Sequence, residues 1–239
     1  MSIASTSDLV FRGGSHVRAL TIVRHPQARA LRLSVDPRDA TVRLSMPANA
    51  PLRPALAWAL LKRDWVEARL ARLPAPQPIA PGSIIPLGDR RLILDWSVDH
   101  PRGPAIDGGR LRVGGPRAQL PDRVLRWLRR EALARLTAAT HALAARYAIT
   151  VARVGVGDPV SRWGSCAASG AIRYSWRLVL APEHVLHATV AHEVAHRVHM
   201  NHGPAFHRLA AELLGHDPAP ARRWLRAHGA ALHWFGREG

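Results

Sequence analysis

The segment His192-Glu193-Val194-Ala195-His196 combines two imidazoles four positions apart with a carboxylate directly after the first. On a helix, positions i and i+4 lie one above the other on one face, so two neutral imidazoles can reach a single ion at about 2.0–2.1 Å. A carboxylate at i+1 projects beside such an ion rather than onto it. There it can act as a general base, taking a proton from a water molecule as that water attacks a carbonyl. Val190, Val194 and Val198 recur at helical spacing and supply a buried flank, which is the context the HExxH pattern requires. Composition singles out the same region: ten of the fourteen histidines fall in the last 56 of 239 residues.

An ion used in hydrolysis needs a third protein ligand and an open fourth position. His202, six residues past His196, is the leading candidate, because Asn201, Gly203 and Pro204 supply turn chemistry that can fold the chain back toward the pair. Three rivals stay open. His199 shares the helix face but stands two turns from His192, about 10 Å of rise. Glu212, on the following helix, would give a His/His/Glu site, and His207 lies between them. Three imidazoles with an open position favour Zn²⁺.

Elements must hold these side chains, and the chain before them divides by texture. Leu31, Leu33 and Val35, then Val42, Leu44 and Met46, alternate with polar residues across a DPRDA turn. With the stretch around 17–24 this predicts an antiparallel meander ending at Pro47. Leu56, Trp58, Leu60, Leu61, Trp65 and Leu70 then recur as one stripe and predict a single helix over 54–73. Four prolines between 74 and 81 make a connector, and a second β stretch follows up to Val113.

Beyond Gly115 the texture turns helical from Pro121 to about Tyr147. Next come strands expected over 149–156 and 171–180, separated by SRWGSC. Helices are expected from Pro182 to about His199, over 204–214, and from Pro220 to His228 before Gly229. The expected organisation is a flexible N-terminus over 1–15, a β-rich N-terminal domain over 16–115, and a second domain over 118–239. No internal repeat is visible.

Net charge is +17, and only Lys62 among the thirty-four basic residues is a lysine. The densest stretch is 110–135, where eight arginines (Arg110, Arg112, Arg117, Arg123, Arg126, Arg129, Arg130 and Arg135) face Asp122 and Glu131. This suits weak nucleic-acid association, although charge surplus speaks first to solubility and non-specific contact. No apolar run approaches a membrane span. The first residues lack the order of a secretory signal, and a lone Cys166 cannot form an internal disulfide, so a cytoplasmic location is expected.

Taken together, SRWGSC at 161–166, WRLVLAP running into the next helix, HEVAHRVHMNHGPAF at 192–206 and RRWLRAHG near the end resemble the YgjP-like metallopeptidase domain, which is related to the SprT-like zinc proteases. Upstream, the MP at 46–47 and KRDW at 62–65 are similar to that family's N-terminal half, so the resemblance spans nearly the whole chain. It implies an α+β fold: a β-rich N-terminal half with one helix, then a zincin-like catalytic half with a small sheet and an HExxH helix. It further implies His192, His196 and His202 as metal ligands, Glu193 as general base, and a protein or peptide substrate. Two positions depart from the family pattern: Ser175 where Asn is expected and His207 where Trp is usual.

SRWGSC reads first as a Trp-Gly turn packing Trp163 under the metal helix, ahead of any nucleophilic role for Ser165 or Cys166. Arg177 and Tyr174 are candidates to border the cleft and stabilise an oxyanion. The main functional expectation is a zinc-dependent peptidase. Two alternatives stand beside it: a metal-dependent endoribonuclease, because YbeY-like endoribonucleases share the four-and-six histidine spacing, and a non-catalytic protein that binds metal or nucleic acid. Oligomeric state is not legible.

Overall fold

The computed structural model describes residues 9–238, and two units of chain pack internally, the first ending at Pro76 and the second running from Gln77 to Glu238. In the first, β1 (Val10–Gly13), β2 (His16–His25), β3 (Arg32–Val35) and β4 (Val42–Pro47) form one sheet, followed by α1 (Leu52–Leu60) and α2 (Arg63–Ala71). Strand order is β1-β2-β4-β3. β3 and β4 are antiparallel across the predicted turn, but β2 runs parallel to β4, with Leu20 opposite Val42. The expected meander is thus replaced by a hairpin beside a parallel neighbour. β4 carries the fully buried Val42, Leu44 and Met46 and takes an inner place between two partners.

The flexible N-terminus expected over 1–15 lies outside the described residues up to residue 8, while Val10–Gly13 is a strand paired with β2. The single helix expected over 54–73 is two, because Lys62 leaves helical geometry at φ −101°, ψ 13°. Its buried face is Ala55, Ala59, Val66 and Leu70, whereas Leu60, Leu61 and Trp65 are exposed. Of the predicted stripe Leu70 is buried, while two alanines and Val66 take the other inward places.

The second unit begins with β5 (Ile84–Leu87), β6 (Arg90–Trp96), β7 (Ala105–Asp107) and β8 (Arg110–Val113), in the order β5-β6-β8-β7. Pairing directions repeat those of the first sheet: antiparallel, parallel, antiparallel. This topological repeat has no visible counterpart in the sequence. The sheet's Leu87, Leu94, Leu111 and Val113 share one apolar core with Leu128, Trp176 and Val190. For that reason the second β stretch groups with the C-terminal helices, not with the first sheet as the expected boundary near 115 supposed.

α3 (Leu120–Arg146) follows, about 40 Å long at 1.5 Å per residue. Next, β9 (Arg153–Gly157), β10 (Gly164–Cys166) and β11 (Ala171–Ser175) form a three-stranded sheet in the order β10-β11-β9. The strand expected over 171–180 stops at Ser175, whose Oγ accepts from the Arg177 amide and starts a 3-10 turn over Trp176–Leu180. The chain ends with α4 (Glu183–Ala195), α5 (Pro204–Leu214) and α6 (Ala219–Leu232). Six α-helices and three sheets among the described residues make the fold α+β, as expected. No described helix is long and apolar enough to cross a membrane.

Candidate metal centre

α4 is buried on most sides, through Val185, Leu186, Val190, Ala191, Val194 and Ala195, as a helix at the heart of a unit should be. Two polar contacts fix its start: the Glu183 amide donates to Asp89 Oδ1 at 3.2 Å, and the Glu183 carboxylate receives Arg135 at 2.9 Å. The helix ends at Ala195, with His196 as its cap, one turn short of the expected His199. Tight reverse contacts through 196–199 turn the chain. Arg197 anchors that turn by donating to the Thr150 carbonyl at 3.0 Å. α5 then starts at Pro204, which sets the length of the return loop.

This geometry brings His192, His196 and His202 together, with one ligand-type nitrogen from each within 4.8 Å of the others. His192 Nε2 and His202 Nε2 stand 3.2 Å apart. Nitrogens bound at about 2.0–2.1 Å to a tetrahedral ion are separated by about 3.3 Å, so this spacing suits one ion. His196 Nδ1 lies 3.0 Å from the His199 carbonyl oxygen. That nitrogen must carry the proton to donate, which leaves Nε2 as a lone-pair donor. Burial, then the neighbouring His196 and His202, push the pKa of His192 down to about 4; burial lowers that of His196 as well. Both rings are therefore neutral at pH 7, the form that coordinates metal.

Phe206 closes the back of the cluster. Its ring centroid lies 4.8, 4.5 and 4.7 Å from those of His192, His196 and His202, and it is 1% exposed. The sequence showed Phe206 only as part of a motif; His202 lies in the loop before α5, so no helical spacing links the two and only the fold brings their rings together. Among the rivals for the third position, His199 contributes its carbonyl and Glu212 its carbonyl, to Tyr147 at 3.1 Å. Neither side chain joins the cluster, nor does that of His207, whose ring lies 6.3 Å from that of His202.

Glu193 is 4% exposed, and its Oε2 has no hydrogen-bond partner. Burial pushes its pKa up to about 7, against the pull of Arg162. Its carboxyl group rests on Gly164, where a Cβ would overlap it. The glycine of SRWGSC thus makes room for the acid. Trp163, expected under α4, packs on α6 and its cap: its ring lies tilted against that of His233 at 5.4 Å, and a Cβ on Gly229 would come within 2.8 Å of its indole. Gly229 is therefore a close-approach residue inside α6 and not its end.

Arg177 and Tyr174 do not border the cleft. Arg177 is buried, holds Asp158 through contacts of 2.7 and 3.0 Å, and donates to the Leu232 and Phe235 carbonyls at 2.7 and 3.2 Å. Tyr174 is fully buried against Thr140 at 3.0 Å. Tyr174 lies within β11 as expected but faces the core, whereas the 3-10 turn at Trp176 sends Arg177 inward. Burial raises the pKa of the Cys166 thiol, which lacks the activation a nucleophile needs.

The family model for the YgjP-like metallopeptidase domain matches residues 29–228. No curated protein and no solved structure matches the chain. The histidine cluster, its neighbouring acid and this match over most of the length lead to one statement of kinship: the chain belongs to the YgjP-like metallopeptidase family.

Proposed function

We propose that the protein is a zinc-dependent peptidase in which His192, His196 and His202 hold the metal and Glu193 is the general base. The observation that carries this reading is the convergence of three imidazoles beside a buried carboxyl group with an unpartnered oxygen. When bound, such an ion supplies Lewis acidity that polarises a carbonyl and acidifies water. The three rings would hold it, and the His196 to His199 contact fixes one tautomer.

Glu193 takes the proton of the attacking water and delivers it to the leaving amine, and a carboxyl group with pKa near 7 is matched to that two-way role. Gly164 keeps its place open, and Phe206 excludes water from behind the rings. The buried acid beside the first histidine also weighs against the endoribonuclease alternative, which has no need of a base there.

The test is zinc content by elemental analysis, together with cleavage of an unfolded protein by wild type and Glu193→Gln. The variant should keep the metal and lose cleavage. Equal cleavage by both proteins overturns the assignment of Glu193, and wild-type protein that takes up no divalent ion overturns the metal site.

A further inference from the structure

Beside Glu193 and His192 a cavity of about 460 Å³ opens between α4, α5, α6 and the turn at 162–164. Its walls are apolar: Trp163, Phe206, Ala210, Ala211, Ala221 and Leu225. Alanines at the positions facing inward from two helices leave a space that larger residues would fill. A volume within the range of ligand sites, with apolar walls and polar groups at one end, is the signature of a pocket that selects by size and burial.

Two guanidinium groups, Arg162 and Arg222, also line it, and neither forms an ion pair among the described residues. Both are exposed side chains on the lining of the same cavity as Glu193 and His192. The one further acid in the lining, Asp217, uses Oδ1 to accept from the Ala219 amide at 2.8 Å.

We infer that this cavity is the substrate's side-chain subsite: it takes one large apolar residue, aromatic or leucine-like, next to the cleaved bond, with a carboxylate-bearing neighbour drawn to Arg162 and Arg222. The inference rests on the peptidase reading above and names its substrate class. Apolar walls favour Phe or Leu over Ala, and one or more extra methylenes buried this way correspond to about 10- to 100-fold in kcat/KM. A guanidinium in the lining favours Asp or Glu over Lys at the next residue, about threefold for each arginine.

Two arms separate the outcomes. In the first, the zinc-loaded full chain is given peptides that vary only at one residue (Phe, Leu, Ala, Lys) and at its neighbour (Asp, Lys), and cut positions are read by mass spectrometry. Cleavage beside Phe or Leu is expected, and Ala211→Leu should lower the Phe-to-Ala preference at least tenfold. Arg222→Gln should lower the Asp-to-Lys preference about threefold. Cleavage with no preference overturns the subsite and leaves the peptidase reading standing.

The second arm measures binding of N-acetyl-phenylalanine amide and N-acetyl-alanine amide to the metal-free protein by ligand-observed NMR. Stronger binding of the phenylalanine probe, lost in Ala211→Leu, supports the subsite even if no peptide is cut. Equal binding of both probes overturns it.

Discussion

Two stretches of this chain are enriched in one residue type, and they resolve in opposite ways. Histidines over 184–202 converge: three rings from a helix, its cap and a return loop meet around a point. Arginines over 110–135 disperse. Arg112 pairs with Asp107 at 2.6 Å, Arg123 donates to the Gly114 carbonyl at 3.0 Å, Arg135 reaches Glu183 at 2.9 Å, and Arg117 and Arg129 lie over Trp96 and Trp176. Acids outside the stretch, Asp95, Asp107 and Glu183, answer charges that looked unopposed. Enrichment marks where to look, and convergence of donors marks chemistry.

That contrast can be attacked from its strongest side first. Glu193→Gln should lower kcat on a peptide substrate by at least about a thousandfold while zinc content stays near one per chain, because the proposed general base is removed and the proposed ligands remain. His202→Ala comes next: loss of one of three ligands should raise the metal dissociation constant by about a hundredfold or more in a chelator competition. If Arg130→Gln produced losses of that size, the contrast between the two stretches would fail. That variant is expected to change stability by less than about 0.5 kcal/mol and activity by less than twofold.

Between these lies the buried latch. Arg177→Ala should destabilise the protein by about 3 kcal/mol in urea unfolding, since it strips Asp158 and two carbonyls of their donor. Burial works against the Asp158 carboxylate, but Arg177 outweighs it and holds its pKa below the usual value. The latch therefore contributes at neutral pH and loses strength as pH falls through that lowered pKa.

A further effect is a pH-dependent difference in the metal-free protein. The unfolded chain gives up the Glu193 proton near 4.5 and the folded chain only near 7, so rising pH across that window favours unfolding. His192 acts in the other sense. It charges near 6.5 when unfolded and near 4 when folded, so falling pH across that window also favours unfolding. Glu193→Gln removes only the first effect. Its melting temperature relative to wild type should rise as pH goes from about 4.5 to about 7, and a flat difference would contradict the buried carboxyl.

Much of the site was legible because HExxH is a local pattern: helical spacing alone puts His192 and His196 on one face, and a turn after them aims His202 back. α3, α5 and the start of α4 were legible for the same reason, through period, proline and glycine. What escaped depended on partners far away in sequence. The parallel pairing of β2 with β4, the break at Lys62, the end of β11 at Ser175 and the inward turn of Arg177 each answer to neighbours that no window of adjacent residues contains.

Periodicity and spacing thus decided on their own that this chain would present two imidazoles and an acid from one helix, because those positions are related by a rise and a rotation that any helix supplies. Which histidine would complete the set, how dry the acid would be and what cavity would stand beside it were decided only by packing. Those properties follow from Phe206 behind the rings, Gly164 beneath the carboxyl group and the alanines of α5 and α6 across from it, residues that meet only when the chain has folded.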